Sequence, residues 1–213
     1  GLVHVVFVRS TVAHAMIASI DVDDARSAPG VLAVYTAADL GLDPVQGFVM
    51  LPPVFSRPPL ATDRVRFVGD IVAAVVAETR AEAVDAAEQV IVDYDPLPVL
   101  TDPESALAEG APVLFPDHGS NLAIEFNFGE DPTVLEGADV VVSGRFVNQR
   151  LAAVPMESNG IVVTHDGEGG LFCQIPTQAA HGIVQPIAVA AGLPEEKIRV
   201  AAPAVGGGFG AKA

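Results

Sequence analysis

Between Arg64 and Tyr94 the spacing of apolar residues changes period twice, and that change confines the chain to a fold mixing strands with helices. Arg64 to Ala77 is strongly apolar and broken by Gly69-Asp70, which predicts a turn between two strand-like halves. Thr79-Arg80-Ala81-Glu82 then has the form of a capping box, the threonine accepting from the third N–H and the glutamate reaching back. Ala83, Val84, Ala87 and Val90 follow at helical spacing, predicting a helix over 81–89. Val90-Ile91-Val92-Asp93-Tyr94 predicts a strand, stopped by Asp95-Pro96-Leu97-Pro98. Strand, helix and strand at this spacing predict a βαβ unit.

The flanking sequence adds further elements. The β-branched run 2–10 and the stretch 14–22 predict strands, 24–28 a short helix stopped by Pro29-Gly30, 31–36 a third strand and 36–40 a helical turn. From 41 to 63 prolines 44, 52, 53, 58 and 59 exclude regular pairing and predict a long loop. A short helix at 103–109 leads into a proline-containing passage, where the domain boundary is expected. Beyond it, 121–128 and 138–149 alternate like strands, with a helical turn at 133–138, and 157–165 with 170–175 predicts a hairpin around Asp166-Gly167-Glu168-Gly169. Residues 178–191 predict a helix closed by Gly192, and 197–201 a last strand.

That strand runs into Val205-Gly206-Gly207-Gly208-Phe209-Gly210-Ala211-Lys212. Consecutive glycines bring the backbone close to a ligand, and successive N–H groups in such a turn form a nest suited to oxyanions. The same composition near a chain end also suits a flexible tail, but a preceding strand gives the loop a floor. It is not a nucleotide-hydrolysing P-loop. Starting from Gly206, Ala211 stands at the second glycine and Ala213 at the required hydroxyl. A dinucleotide fingerprint fails as well, on glycine spacing and for want of a following helix.

Charge and residue usage exclude other chemistry. A net charge of −16 repels nucleic acid unless a basic patch is concentrated somewhere, and the 11 Lys and Arg read as scattered singly. The single cysteine, Cys173, allows neither an intrachain disulfide nor a CxxC metal site, and it sits in a strand-like run that predicts a buried, inert thiol. The histidines are dispersed without a ligand pair, the serines lack a nucleophile elbow, and Glu157 reads as a structural hydrogen-bond acceptor. No apolar run reaches membrane-spanning length, and a first residue other than Met suggests a start inside a longer product.

Taken together, several motifs in order resemble a known family. Val8-Arg9-Ser10, His14-Ala15, Pro29-Gly30-Val31, Arg66-Phe67-Val68-Gly69-Asp70 and Val92 to Pro98 look like the opening domain of molybdenum hydroxylase large subunits. These are the xanthine dehydrogenase, aldehyde oxidase and aerobic carbon monoxide dehydrogenase enzymes. Pro155-Met156-Glu157, Thr177-Gln178-Ala179-Ala180-His181, Ala191-Gly192-Leu193-Pro194 and the glycine run resemble the start of their molybdopterin-binding region. The resemblance implies an α+β fold, with an a/b hammerhead domain over 1–117 followed by the first, truncated part of a molybdopterin-binding α+β domain over 118–213.

It also implies an oxidoreductase segment that hydroxylates with water-derived oxygen, or else a non-catalytic scaffold completing a molybdenum site only with another chain. The implied cofactor is molybdopterin, as the cytosine dinucleotide in bacterial members. Iron–sulfur (2Fe-2S) and FAD groups would lie on partner subunits or domains, in a cytoplasmic complex with the rest of the molybdenum subunit. Gln149, Gly207, Gly208, Phe209 and Gly210 are the implied cofactor contacts; no catalytic residue or metal ligand is expected in this chain, which alone would be inactive. Purine-oxidising members carry a glutamate where Ala213 stands, so the resemblance favours an aldehyde, carbon monoxide or another small substrate such as a heterocycle.

Overall fold

The computed structural model describes residues 1–47, 49–126, 129, 131 and 133–212. Its contacts separate Gly1–Phe128 from Gly129–Ala213. In the first unit, β1 (His4–Arg9), β2 (Ala15–Asp21), α1 (Asp23–Ser27), β3 (Val31–Thr36) and α2 (Ala37–Leu40) precede the proline-rich passage. After it come β4 (Arg64–Val65), β5 (Ile71–Ala77), α3 (Arg80–Ala87), β6 (Ile91–Pro96) and α4 (Pro103–Ala106).

Strand β5 is the centre of this unit because its sequence permits burial on both faces. Val72, Ala73, Val75 and Ala77 are fully buried, and the strand is hydrogen-bonded on both edges in the order β1-β5-β3. A second sheet has the order β4-β2-β6. Helices α1 and α3 present Ala25, Ala83 and Ala86 to Val22, Val34, Val75 and Ala77; the small side chains let helix and sheet backbones approach closely. A second core gathers Ala15, Ala61, Val65 and Val72.

The capping box forms as expected. Thr79 Oγ1 accepts from Glu82 N at 3.2 Å and Thr79 N donates to the Glu82 carboxylate at 3.0 Å. The βαβ expectation for this region does not hold. β5 pairs antiparallel with β1 and β3, whereas β6 pairs antiparallel with β2 in the other sheet. With both edges of β5 occupied, the strand after α3 has no ladder to join there. The loop 41–63 folds on itself through reciprocal hydrogen bonds between Val45 and Arg57, each 2.8 Å, and a 3-10 turn at Pro53–Phe55.

In the second unit, β7 (Val162–His165) and β8 (Leu171–Gln174) make the expected hairpin, followed by α5 (Val184–Ala191) and β9 (Ile198–Ala201). Asp166 closes the hairpin by accepting from the N–H groups of Gly170 and Glu168, each at 2.8 Å, and these bonds hold its carboxyl below the ordinary value. β8 pairs parallel with β9, so β8-α5-β9 is a parallel unit, and the glycine loop leaves the carboxyl end of its second strand. Cys173 is buried at the centre of this sheet.

Three expectations need correction here. Helix α5 starts at Val184 rather than near Gln178, because Pro186 lacks an N–H and its ring would collide with the Gly182 carbonyl in a longer helix. Residues 121–126 form no strand; Asn127 and Phe128, which ended that expected strand, lie outside the described residues. Residues 138–149 form no strand either, although Val140, Val142 and Phe146 alternate as predicted and stand 77%, 85% and 90% exposed. Alternation fixes which side chains share a face, but a strand also needs an adjoining edge, and no described segment supplies one.

Candidate functional site

The glycine loop is a built structure whose geometry follows from its residues. Gly207, Phe209 and Gly210 have φ of 93°, 53° and 81°, in the left-handed region. Glycine takes these angles freely, whereas Phe209 does so at a cost of roughly 1–2 kcal/mol. The Phe209 ring closes over Gly207, where an added Cβ would come within 2.9 Å of Phe209 Cε2 and 3.3 Å of Pro155 Cβ. A side chain at Gly206 would meet Glu157 Cβ at 2.6 Å, and one at Gly208 would overlap the Gln178 amide.

Two side chains clamp the loop from behind. Glu157 Oε2 accepts from Gly206 N and from the Lys212 ammonium, both at 2.6 Å. The Lys212 side chain is only 1% exposed, so its charge depends on that carboxylate. Lys212, then the Gly206 N–H, hold the Glu157 carboxyl below its ordinary range. Gln178 Oε1 accepts from Gly210 N at 3.0 Å and from Lys212 N at 3.4 Å, while Gln178 N and Thr177 Oγ1 both donate to the Lys212 carbonyl. Asn159 Nδ2 donates to the Ala211 carbonyl at 3.3 Å.

The N–H groups of Gly206, Gly210, Ala211 and Lys212 are therefore committed to the scaffold. Those of Gly207, Gly208 and Phe209 have no partner among the described residues, and Phe209 is 77% exposed. These N–H groups can donate to an anionic or oxo oxygen at the loop surface. A cavity of about 380 Å³ adjoins the clamp, lined in part by Asn159, Ile161, Thr177, Ile187 and Lys212. No cluster of three or more His, Cys, Asp or Glu able to hold a metal occurs among the described residues.

Of the residues singled out in the sequence, Gly207, Gly208, Phe209 and Gly210 share this loop, with Gly210 tied to Gln178. Gln149 lies in the exposed stretch 138–150, and no hydrogen bond joins it to the loop. Ala213, the position tied to purine oxidation, lies outside the described residues. Glu157 is the structural acceptor expected, but its partner Lys212 and the role of Gln178 were not foreseen. The signal was present, since Pro155-Met156-Glu157, Thr177-Gln178 and the glycine run are three motifs of the resemblance, and they converge here.

Residues 1–98 match the aldehyde oxidase and xanthine dehydrogenase a/b hammerhead domain, and residues 114–213 match the molybdopterin cofactor-binding domain. The carbon monoxide dehydrogenase large chain of Afipia carboxidovorans is 40% identical, with 97% of this chain aligned to 27% of that one. The nicotine 6-hydroxylase large subunit of Paenarthrobacter nicotinovorans is 36% identical over 100% of this chain and 27% of its own length. The structure of reconstituted CO dehydrogenase from Oligotropha carboxidovorans matches with a TM-score of 0.88 and 37% identity, over 99% of this chain and 28% of that chain. The chain thus spans little more than a quarter of the length of these relatives. It belongs to the molybdenum hydroxylase large subunits of the aldehyde oxidase and xanthine dehydrogenase family.

Proposed function

We propose that this chain supplies one wall of the molybdenum site of a hydroxylase that oxidises an aldehyde, carbon monoxide or a small heterocycle with oxygen derived from water. The observation that carries this reading is the row of N–H groups at Gly207, Gly208 and Phe209 without a partner among the described residues, in a loop held from behind by Glu157 and Gln178. Their donors suit the oxygens of a molybdopterin cofactor, and Gly206 and Gly208, where a Cβ would overlap Glu157 and Gln178, let the loop sit against its clamp. When bound, the cofactor supplies the redox chemistry. Gly207, Gly208 and Phe209 would donate to it, Gly210, held by Gln178, and Gln149 would be further contacts, and the Glu157–Lys212 pair keeps the loop fixed.

In this reading the second domain begins near residue 118, and the cofactor is the cytosine dinucleotide form. The 2Fe-2S and FAD groups lie on partner subunits or domains, and the complex is cytoplasmic. No helix among the described residues is long and apolar enough to cross a membrane. The chain alone is inactive, and the exposed Val140, Val142, Phe146 and Leu151 support this, because such a surface suits burial against further polypeptide. The same surface favours a second reading, a scaffold that completes a molybdenum site contributed mainly by another chain.

Co-production with the remaining large-subunit sequence and with iron–sulfur and FAD subunits tests the proposal. In ¹⁸O-labelled water the product of the substrate turned over should carry the label, in proportion to molybdenum content. Oxygen taken from O₂, or turnover independent of molybdenum, would contradict the hydroxylase reading. A complex that assembles and retains molybdenum equally well with Gly208→Ala would favour the scaffold.

A further inference from the structure

Basic residues that read as scattered in the sequence meet around one recess in the first unit. Arg57, Arg64 and Arg66 line a cavity of about 240 Å³ with Phe67, Leu114 and Phe115. Arg57 is neutralised, donating to Asp70 at 3.1 Å with its guanidinium 4.6 Å from the Phe67 ring centroid. The Arg64 side chain is only 18% exposed and, among the described residues, reaches just its neighbour Asp63, at 3.4 Å. Arg66 lies 4.5 Å from the Phe115 ring centroid and donates Nε to the Leu114 carbonyl at 3.4 Å. Among the described residues no carboxylate comes within ion-pair distance of Arg66. Burial, then the neighbouring Arg64 charge, pull its pKa down, against the opposing influence of Asp63, Asp70 and Asp117.

Among the described residues Asp70 is the one acid lining the recess against three guanidinium groups, with Asp63 and Asp117 near enough to act on Arg66 from outside it, in a chain whose net charge is −16. Planar guanidinium groups match carboxylates through paired N–H donors, and they do so best where aromatic walls exclude water. The volume lies below the roughly 300–1,000 Å³ of pockets for drug-sized ligands, so it suits a carboxylate on a short chain. We propose that this recess is a carboxylate-binding site, with Arg64 and Arg66 as the donors and Phe67 and Phe115 as the walls. The carboxylate comes either from a free short-chain acid or from an aspartate or glutamate of the polypeptide that completes the subunit.

The test is a titration of the 213-residue chain with sodium succinate, replacing chloride at constant ionic strength and following the arginine Nε–H resonances. Saturable shifts are expected at Arg64 and Arg66 and not at Arg80. Arg66→Leu should weaken binding by at least about tenfold. Arg64→Gln, which leaves the Arg66–Phe115 contact in place, should weaken it in the same direction. If Arg66 serves only to pin residues 114 and 115 to the domain, binding is absent or unchanged in both variants, and the proposal fails. Repeating the titration on the complete subunit separates the sources: succinate still binds if the natural ligand is a free acid, and is excluded if the subunit's own carboxylate fills the recess.

Discussion

At the scale of single residues, the contact between Lys212 and Glu157 governs the loop. The two partners are not equivalent, since the Lys212 side chain is 1% exposed and that of Glu157 39%. Glu157→Gln strands an ammonium away from water, whereas Lys212→Met leaves a carboxylate that still reaches solvent. The melting temperature should therefore fall more for Glu157→Gln than for Lys212→Met; the reverse order would mean that Glu157 is not the counter-ion. The sign of the pH effect follows from the depressed carboxyl. Its contribution is fully present above the ordinary glutamate value of about 4.3 and is lost as pH falls through the lower folded-state value. Glu157→Gln should flatten this acid limb in a series of urea melts from pH 6 downward. Amide exchange gives a finer check: Gly206 and Gly210 should exchange slowly, while Gly207, Gly208 and Phe209 exchange fast and slow on addition of an oxyanion ligand such as molybdate.

At the scale of elements, local signals set what was legible. The α3 capping box is contained in four consecutive residues, and it forms as the sequence predicts. Thr79→Ala should cost about 1 kcal/mol in urea unfolding. Gly30→Ala should cost more, because Gly30 has a φ of 73° and a methyl there would overlap the Glu82 carboxylate. Equal stability of wild type and both variants would rule out the cap as a contributor. Where pairing depends on distant sequence, local pattern misled. The strand β5 was readable from its apolar run, but not its occupation on both edges by β1 and β3, which sends β6 to the other sheet. The parallel unit lies instead at β8-α5-β9, where Pro186 fixes the start of the helix and leaves Gln178 free to hold the loop. The meeting of Arg57, Arg64 and Arg66 was not legible, because β4 ends at Val65 and the recess closes only when the loop before it folds back.

At the scale of the molecule, the glycine loop shows both the reach of the sequence and its limit. Its residues and its floor, β9, were legible because a strand followed by glycines is a local pattern. The clamp was not, because Glu157, Gln178 and Lys212 meet only in the folded unit. The exposed alternation of 138–149 is the same limit seen from the other side, a strand-like pattern with no pairing edge among the described residues. The chain also spans little more than a quarter of the curated relatives' length. The function proposed above holds that the loop is prepared for a molybdenum cofactor which this chain does not retain alone. Metal and pterin analysis of the purified chain, beside the same chain produced with the remaining large-subunit sequence, tests it most directly. Negligible molybdenum and pterin are expected on the chain alone and near-stoichiometric amounts on the completed subunit, reduced by Gly208→Ala; stoichiometric molybdenum on the chain alone would overturn the proposal.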